Sequence, residues 1–359
     1  MSGDKYTFTE AIASAHREGL IANSDSLILG LGVNYANGAD GTTKGLAAEF
    51  GDRVMDVPVS EASFTGMAVG MGNNGLNPIV HHGRVEFALL ACDQILTQAA
   101  KWNFMFGGDY PCSLGIRLNI GRQWGNGPQH TSSYSSLFLN TPGLNIYWPS
   151  RPSEAAYYTK QLHSLSVPTI SMEHRYLFGT KDSMTIEDPA NDEIQTGCIY
   201  GSGDQVTILT YGDGLVEALR IRHHIPELDI KIICLTSFVN DRELDEIITS
   251  EINKTNHLIV IDTANYNYGL LQGVLGQLAE KINLSAKIKI FSSPFTPCAT
   301  APSLVKEYYP RAPDITDYLI SMDLTKKIMD PYTFDEFHLP ADYDFSSDEP
   351  LKILKSKIE

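Results

Sequence analysis

Short β-branched or apolar runs alternate along this chain with amphipathic stretches of helical length, and that alternation constrains the fold more than any other feature. It is the pattern of a parallel sheet whose strands are joined by crossover helices, because a strand buried on both faces reads as a continuous apolar run. In the first half the expected strands are Ser26–Leu31, Pro78–His82, Ser113–Leu118, Leu144–Tyr147 and Pro168–Met172. The helices expected between them are Glu61–Asn73, Phe87–Trp102 and Ser153–Leu165. From about Thr185 to Asp204 the pattern lapses into acids, Pro, Asn and Gly, which reads as a linker.

The alternation then restarts. Strands are expected at Val206–Thr210, Ile230–Leu235, His257–Asp262 and Lys287–Phe291, with helices at Leu215–His223, Glu243–Ile252 and Leu270–Ile282. A chain of 359 residues is long enough for two domains that each bury a core. The expected organisation is an α/β domain over residues 1–185, a linker over 186–204, a smaller α/β domain over 205–328 and an arm over 329–359. The arm is acidic and aromatic, with Tyr332, Phe334, Phe337, Tyr343 and Phe345, and reads either as packed on a neighbouring surface or as a loose tail.

Composition narrows the function classes. A net charge of −16 argues against binding nucleic-acid backbone or anionic lipid, both of which need a surplus of Lys and Arg. Cysteines stand at 92, 112, 198, 234 and 298, with no Cys-x-x-Cys pair, so neither a disulfide framework nor a zinc knuckle is indicated. The polar, acidic start and the shortness of every apolar run, against the ~20 residues of a membrane helix, lead to the expectation of a cytoplasmic protein whose partners are small molecules and other proteins.

The most informative stretch is Val57-Pro58-Val59-Ser60-Glu61-Ala62-Ser63-Phe64-Thr65-Gly66-Met67-Ala68-Val69-Gly70. An apolar strand end delivers one carboxylate, and a helix rich in small residues starts at once. The acid sits where the helix dipole favours negative charge. Taken alone, Glu61 is a capping acid.

Other segments extend the pattern. They include Phe50-Gly51-Asp52-Arg53-Val54, Asp93-Gln94-Ile95 with Ala99-Ala100-Lys101-Trp102, and Gly127-Pro128-Gln129-His130. Thr141-Pro142-Gly143-Leu144, Pro149-Ser150-Arg151-Pro152, Met172-Glu173-His174-Arg175 and Lys254-Thr255-Asn256-His257 follow in order. With these segments the chain resembles the beta subunits of the 2-oxo acid dehydrogenase first component, a branch of the transketolase-like enzymes, over residues 5 to 325.

The resemblance implies two doubly wound α/β domains, a pyrimidine-binding thiamine diphosphate fold followed by a smaller transketolase C-terminal-like domain. It also implies roles for particular residues. Glu61 matches the glutamate that bonds the ring nitrogen of the cofactor's aminopyrimidine, where a carboxyl favours the imino tautomer that takes the thiazolium proton. Phe87 matches the aromatic lying against the pyrimidine, and otherwise reads as a core residue at a helix start. His130 matches the histidine facing the reacting carbon, where an imidazole can steady an alkoxide and move a proton, and otherwise reads as a surface-loop residue. His81, His82, Arg84 and Gln129 are candidates for the substrate side.

No metal site is expected in this chain. His81 and His82 are adjacent on a strand and point to opposite faces, so they cannot readily share an ion. Gly212-Asp213-Gly214 followed by Asn240 imitates the family's diphosphate and magnesium motif, but falls where the resemblance puts a non-cofactor domain, and reads as a tight turn capping a helix. A diphosphate needs a glycine-lined helix N-terminus or bound magnesium. The resemblance therefore implies an alpha-type partner that holds Mg2+ and the diphosphate, in an alpha2beta2 heterotetramer, with an acyltransferase component as a further possible partner.

The sequence departs from the family in places. Leu29-Gly30-Leu31-Gly32-Val33 lacks the acid of the usual Leu-Gly-Glu-Asp/Glu-Val, His81-His82-Gly83-Arg84 replaces an acid with aromatic neighbours, and Thr236-Ser237-Phe238-Val239-Asn240 replaces an Arg-Thr-x-x-Pro run. Positive charge on Arg84 and the histidines would suit a phosphate or carboxylate. Oxidative decarboxylation of a 2-oxo acid with acyl transfer is the leading expectation. A two-subunit transketolase or an acyloin-forming carboligase stands beside it, and a non-catalytic interaction subunit is the alternative of another class.

Overall fold

The computed structural model describes residues 5–122, 125–183, 193–238, 242–282, 287–331 and 340–357. The chain forms two compact units. The first comprises Met1–Gly121, Gln129–Glu187 and Ala341–Ser346, and the second Arg122–Pro128, Asp188–Pro340 and Ser347–Glu359.

The first unit holds strands β1 (Tyr6–Thr7), β2 (Ser26–Gly30), β3 (Val54–Asp56), β4 (Asn77–His82), β5 (Gly115–Ile120), β6 (Asn145–Tyr147), β7 (Thr169–His174) and β8 (Lys181–Asp182). Its sheet runs β6-β7-β5-β4-β2-β3 with every neighbouring pair parallel. β2, β4, β5 and β7 are buried at every position, as strands covered by helices on both faces must be. From β2 the chain steps outward to β3 and then returns to β4 on the other side of β2. In open parallel sheets, ligands bind beyond the carboxyl ends of strands at such a reversal.

Helix Phe8–Ala22 opens with a capping box. The Thr7 hydroxyl accepts the Glu10 N–H at 3.3 Å and the Glu10 carboxylate accepts the Thr7 N–H at 2.8 Å, satisfying two of the free amide groups of the first turn. Its Phe8, Ala11, Ile12, Ala15 and Leu20, at helical spacing, are all buried. Neither this helix, nor the short helix Leu46–Phe50, nor β3 is among the elements expected from periodicity.

The expected helix Phe87–Trp102 is broken into turns of different pitch. An α-turn at Val85–Ala88, a 3-10 turn at Leu89–Ala91, a π-helical stretch at Asp93–Ala99 and α-helix Ala100–Met105 follow one another. Inside the π stretch the Thr97 hydroxyl bonds the Asp93 carbonyl at 2.6 Å, a local competitor of the backbone ladder.

The second unit holds β9 (Glu193–Tyr200), β10 (Val206–Tyr211), β11 (Ile230–Leu235), β12 (Ser237–Phe238), β13 (His257–Asn265), β14 (Lys287–Ser293) and β15 (Lys352–Lys357). Its sheet order is β14-β13-β10-β11-β9-β15. The first four strands are parallel, while β9 and β15 add on antiparallel. The fold is therefore α/β in both units, the second sheet being mixed.

Two segments differ from the sequence expectation here. Residues 193–200, inside the stretch read as a linker, form β9, seven of whose eight positions are buried. Buried Gln195 and Thr196 interrupt its apolar run, which hid it from periodicity. The acidic part of that stretch, 184–192, lies outside the described residues, as do Tyr332, Phe334 and Phe337 of the arm. The described end of the chain packs on itself: Phe345 is fully buried in the first unit with Arg151 over its ring, and β15 pairs with β9 in the second.

Candidate active site

The strand that ends at Asp56 leads through Val57 and Pro58 to helix Glu61–Gly72, so Glu61 is the first residue of that helix. Ser60, before it, is in a non-helical conformation, and its side chain donates to the Ser63 hydroxyl at 2.9 Å rather than capping the helix amides. Glu61 is half-buried, and no group among the described residues hydrogen-bonds its carboxylate. The helix lies on β4. Its inner face buries Phe64, Thr65, Ala68, Val69 and Gly72, and a Cβ on Gly72 would come within 2.5 Å of the Ser113 carbonyl oxygen. Ala62, Ser63, Met67 and Gly70 remain exposed on the other face.

β4 ends in His81-His82, and the two side chains do lie on opposite faces. His82 packs under the Glu61 helix, with its ring 5.2 Å from that of Phe64 and its Nε2 3.2 Å from the Thr65 hydroxyl. His81 stands in register with Gly30 and Arg117, on the other face. Both histidines are 2% exposed. Burial drives the His81 imidazole well below its ordinary pKa, helped by Arg117 and His82, and burial alone brings His82 down to about 4. Both are neutral near pH 7, so the positive charge expected of them at the substrate side is absent. Arg84 is buried just before the turn Val85–Ala88.

Phe87 follows in that turn and is half-buried. Its ring meets that of His130 edge to face at a centroid separation of 5.4 Å. His130 follows β5, is half-buried, and its Nδ1 is buried with no hydrogen-bond partner. Gln129 beside it is exposed. The structure thus brings Phe87 and His130 into contact, while no hydrogen bond or ring contact joins Glu61 to either. All three follow the carboxyl ends of successive strands, β3, β4 and β5.

Sequence reasoning missed Asp40. It lies in the Gly- and Asn-rich loop after β2 with a left-handed backbone (φ 51°), a conformation that Asp tolerates better than most residues. Its carboxylate accepts bonds from Asn119 Nδ2 at 2.8 Å and from Arg175. Burial raises its pKa against the opposing pull of Arg84 and Arg117. The only signal in the sequence was an acid among turn formers. In the second unit, Gly212-Asp213-Gly214 forms the expected turn before helix Gly214–His224, yet the Asp213 side chain does not bond the helix amides. Asn240 lies outside the described residues.

The parallel sheet of the first unit, with Glu61, Phe87 and His130 beyond its carboxyl edge, falls within a transketolase-type domain. The family model for the transketolase pyrimidine-binding domain matches residues 4–180. The pyruvate dehydrogenase E1 component subunit beta of Saccharomyces cerevisiae is 31% identical over 321 residues, covering 86% of each chain. The chain belongs to the family of these E1 beta subunits. The beta subunit of the acetoin:2,6-dichlorophenolindophenol oxidoreductase of Cupriavidus necator is similar too, 29% identical over 325 residues, covering 87% of this chain and 95% of that one. Among solved structures, a split-gene transketolase in an inactive beta4 tetramer superposes with a TM-score of 0.70 at 15% identity, covering 90% of this chain and all of the other, and shares the fold.

Proposed function

We propose that this chain is the beta subunit of a thiamine-diphosphate-dependent enzyme that decarboxylates a 2-oxo acid oxidatively and passes the acyl group on. The observation that carries the reading is the Glu61 carboxylate, set at a helix N-terminus beyond the sheet's carboxyl edge with no bond from the described residues. A half-buried acid left unbonded by its own chain fits a ring nitrogen supplied by a ligand, and the half-buried Phe87 ring fits the flat face of a pyrimidine.

Thiamine diphosphate, when bound, supplies a thiazolium carbon acid able to attack a 2-oxo carbon. Glu61 would hold the proton at the aminopyrimidine ring nitrogen. Phe87 would fix the ring plane and keep water off it. His130, braced by Phe87, would move a proton at the substrate oxygen.

Among the described residues, no group of three or more His, Cys, Asp or Glu could hold a metal ion. The likeness to beta subunits is what supports assigning magnesium and the diphosphate to an alpha-type partner in an alpha2beta2 assembly. Val59, 74% exposed, and the exposed small residues of the Glu61 helix leave room for such a partner beside the site.

The test is reconstitution with an alpha-type chain, magnesium and thiamine diphosphate, using 2-oxo acids and either a lipoylated acyltransferase domain or an artificial electron acceptor. Cofactor-dependent acylation or acceptor reduction, abolished by Glu61→Ala, is the expected result. Full activity in the Glu61→Ala variant would sink the assignment, and formation of hydroxyketones alone would replace it with carboligation.

A further inference from the structure

A second acid, Glu86, lies beside Phe87 and has no part in the reading above. Its Oε1 accepts the Ser132 backbone N–H at 2.8 Å, two residues beyond His130. The Ser132 carbonyl in turn accepts the Gly121 N–H at 3.3 Å, so Ser132 is held on both sides. Glu86 Oε2 is buried and has no hydrogen-bond partner, as is true of His130 Nδ1. Glu86 is the chain neighbour of Phe87, whose ring meets that of His130.

A buried polar atom without a partner is costly, more so on a carboxylate, and a donor from outside the chain would relieve that cost. Glu86 does lie in the first turn of a helix, but that helix, Val85–Ala88, has four residues and little dipole to offer. Its carboxylate is spent instead on an amide from another strand's loop. A bond from a backbone N–H to an ionised oxygen is roughly twice as strong as a neutral one, which suits the task of fixing a segment that otherwise ends in exposed Pro128 and Gln129.

We propose that Glu86 is a positioning residue with two separate duties. Oε1 clamps Ser132 and thereby holds His130 against Phe87, and Oε2 accepts a hydrogen bond from an O–H or N–H donor on the bound substrate. The proposal rests on the proposed function for His130's role toward substrate, while the clamp itself exists in the free chain.

Glu86→Gln and Glu86→Ala separate the duties. Amide hydrogen exchange of the isolated full chain, without cofactor or partner, should show Ser132 exchanging about tenfold faster or more in Glu86→Ala, the scale of one charge-assisted bond. Glu86→Gln should keep most of the protection, because its carbonyl still accepts. In the reconstituted enzyme Glu86→Ala should lower kcat with half-saturation by cofactor unchanged. Glu86→Gln should recover kcat but keep a raised KM for substrate, since an NH2 stands where Oε2 accepted.

Parental exchange at Ser132 in Glu86→Ala would overturn the clamp, as would equal loss of protection throughout the unit in both variants. A parental KM in Glu86→Gln would overturn the substrate contact. Faster Ser132 exchange in a protein with no thiamine-dependent activity would uphold the clamp and overturn the functional reading instead.

Discussion

Arg117 on β5 grips Glu173 on β7 through two parallel bonds, Nε to Oε1 at 2.7 Å and Nη2 to Oε2 at 2.6 Å, with both side chains almost wholly out of water. The remaining Arg117 nitrogen reaches His16 Nε2 and the Thr42 hydroxyl, each at 3.1 Å. A paired buried charge of this kind matters chiefly when one member is removed, because the other is stranded in a low dielectric. Glu173→Gln should therefore destabilise the protein by about 3–5 kcal/mol, whereas a double replacement of Arg117 and Glu173 by apolar residues should cost less. Urea unfolding midpoints of the three proteins check this; a single variant as stable as the parent would contradict it.

The bond from Arg117 starts a directional chain through the core. Arg117 donates to His16 Nε2, so His16 carries its proton on Nδ1 and donates to His163 Nε2 at 2.9 Å. His163 Nδ1 then donates to the Ser26 hydroxyl at 2.7 Å, and Ser26 donates to the Asn77 carbonyl at 3.0 Å. Both histidines are neutral in this arrangement. Burial and Arg117 hold His16 well below its ordinary value and His163 down to about 3.

Folded-state pKa values below the unfolded value mean that the unfolded chain binds more protons. Stability from these groups is complete above about pH 6.5 and falls as the pH drops toward 3, by up to about 1.4 kcal/mol per pH unit for each histidine. His81 and His82 act in the same sense. His163→Gln should flatten the stability-versus-pH slope between pH 6.5 and 4 by one proton's worth. Parallel curves for variant and parent would refute the linkage.

Glu61 presents the opposite case, a carboxylate that the described part of its own chain does not bond. Glu61→Gln should lower the rate of the reconstituted enzyme by about 10²–10⁴, the usual range for loss of a proton-transfer group. The melting temperature should hardly move, since only a helix-dipole interaction of about 0.3–1 kcal/mol is given up. A large loss of stability with proportionate loss of activity would mark Glu61 as a structural cap.

Gly30, at the end of β2, lies so close to β4 that a Cβ there would stand 2.7 Å from the His81 carbonyl oxygen and 2.9 Å from Val33 Cγ1. Gly30→Ala should therefore cost about 1–3 kcal/mol through overpacking, read as a fall in the denaturation midpoint. An unchanged midpoint would mean that the two strands part freely.

Much of this molecule was legible in the sequence. The Val- and Ile-rich strands and the helices between them declared a parallel α/β chain, because burial on both faces forces continuous apolar runs. The small-residue run after Ser60 placed Glu61 at the start of a helix, and the strand period placed His81 and His82 on opposite faces. What eluded the sequence were elements whose signal is weak or non-local. β9 carries buried polar residues and the pitch changes after Val85 break helical periodicity, whereas helix Phe8–Ala22 carries its signal openly, in an apolar stripe and a capping box.

The charge states and pairings were decided by tertiary structure alone. That His81 and His82 are neutral, that Glu86 holds Ser132, and that Arg117 joins Glu173 to a histidine chain all depend on desolvation and on contacts between residues far apart in sequence. Periodicity reports which face of an element is buried. The energy of a proton or a hydrogen bond depends on what surrounds it in space, which is settled only when the strands have taken their order in the sheet.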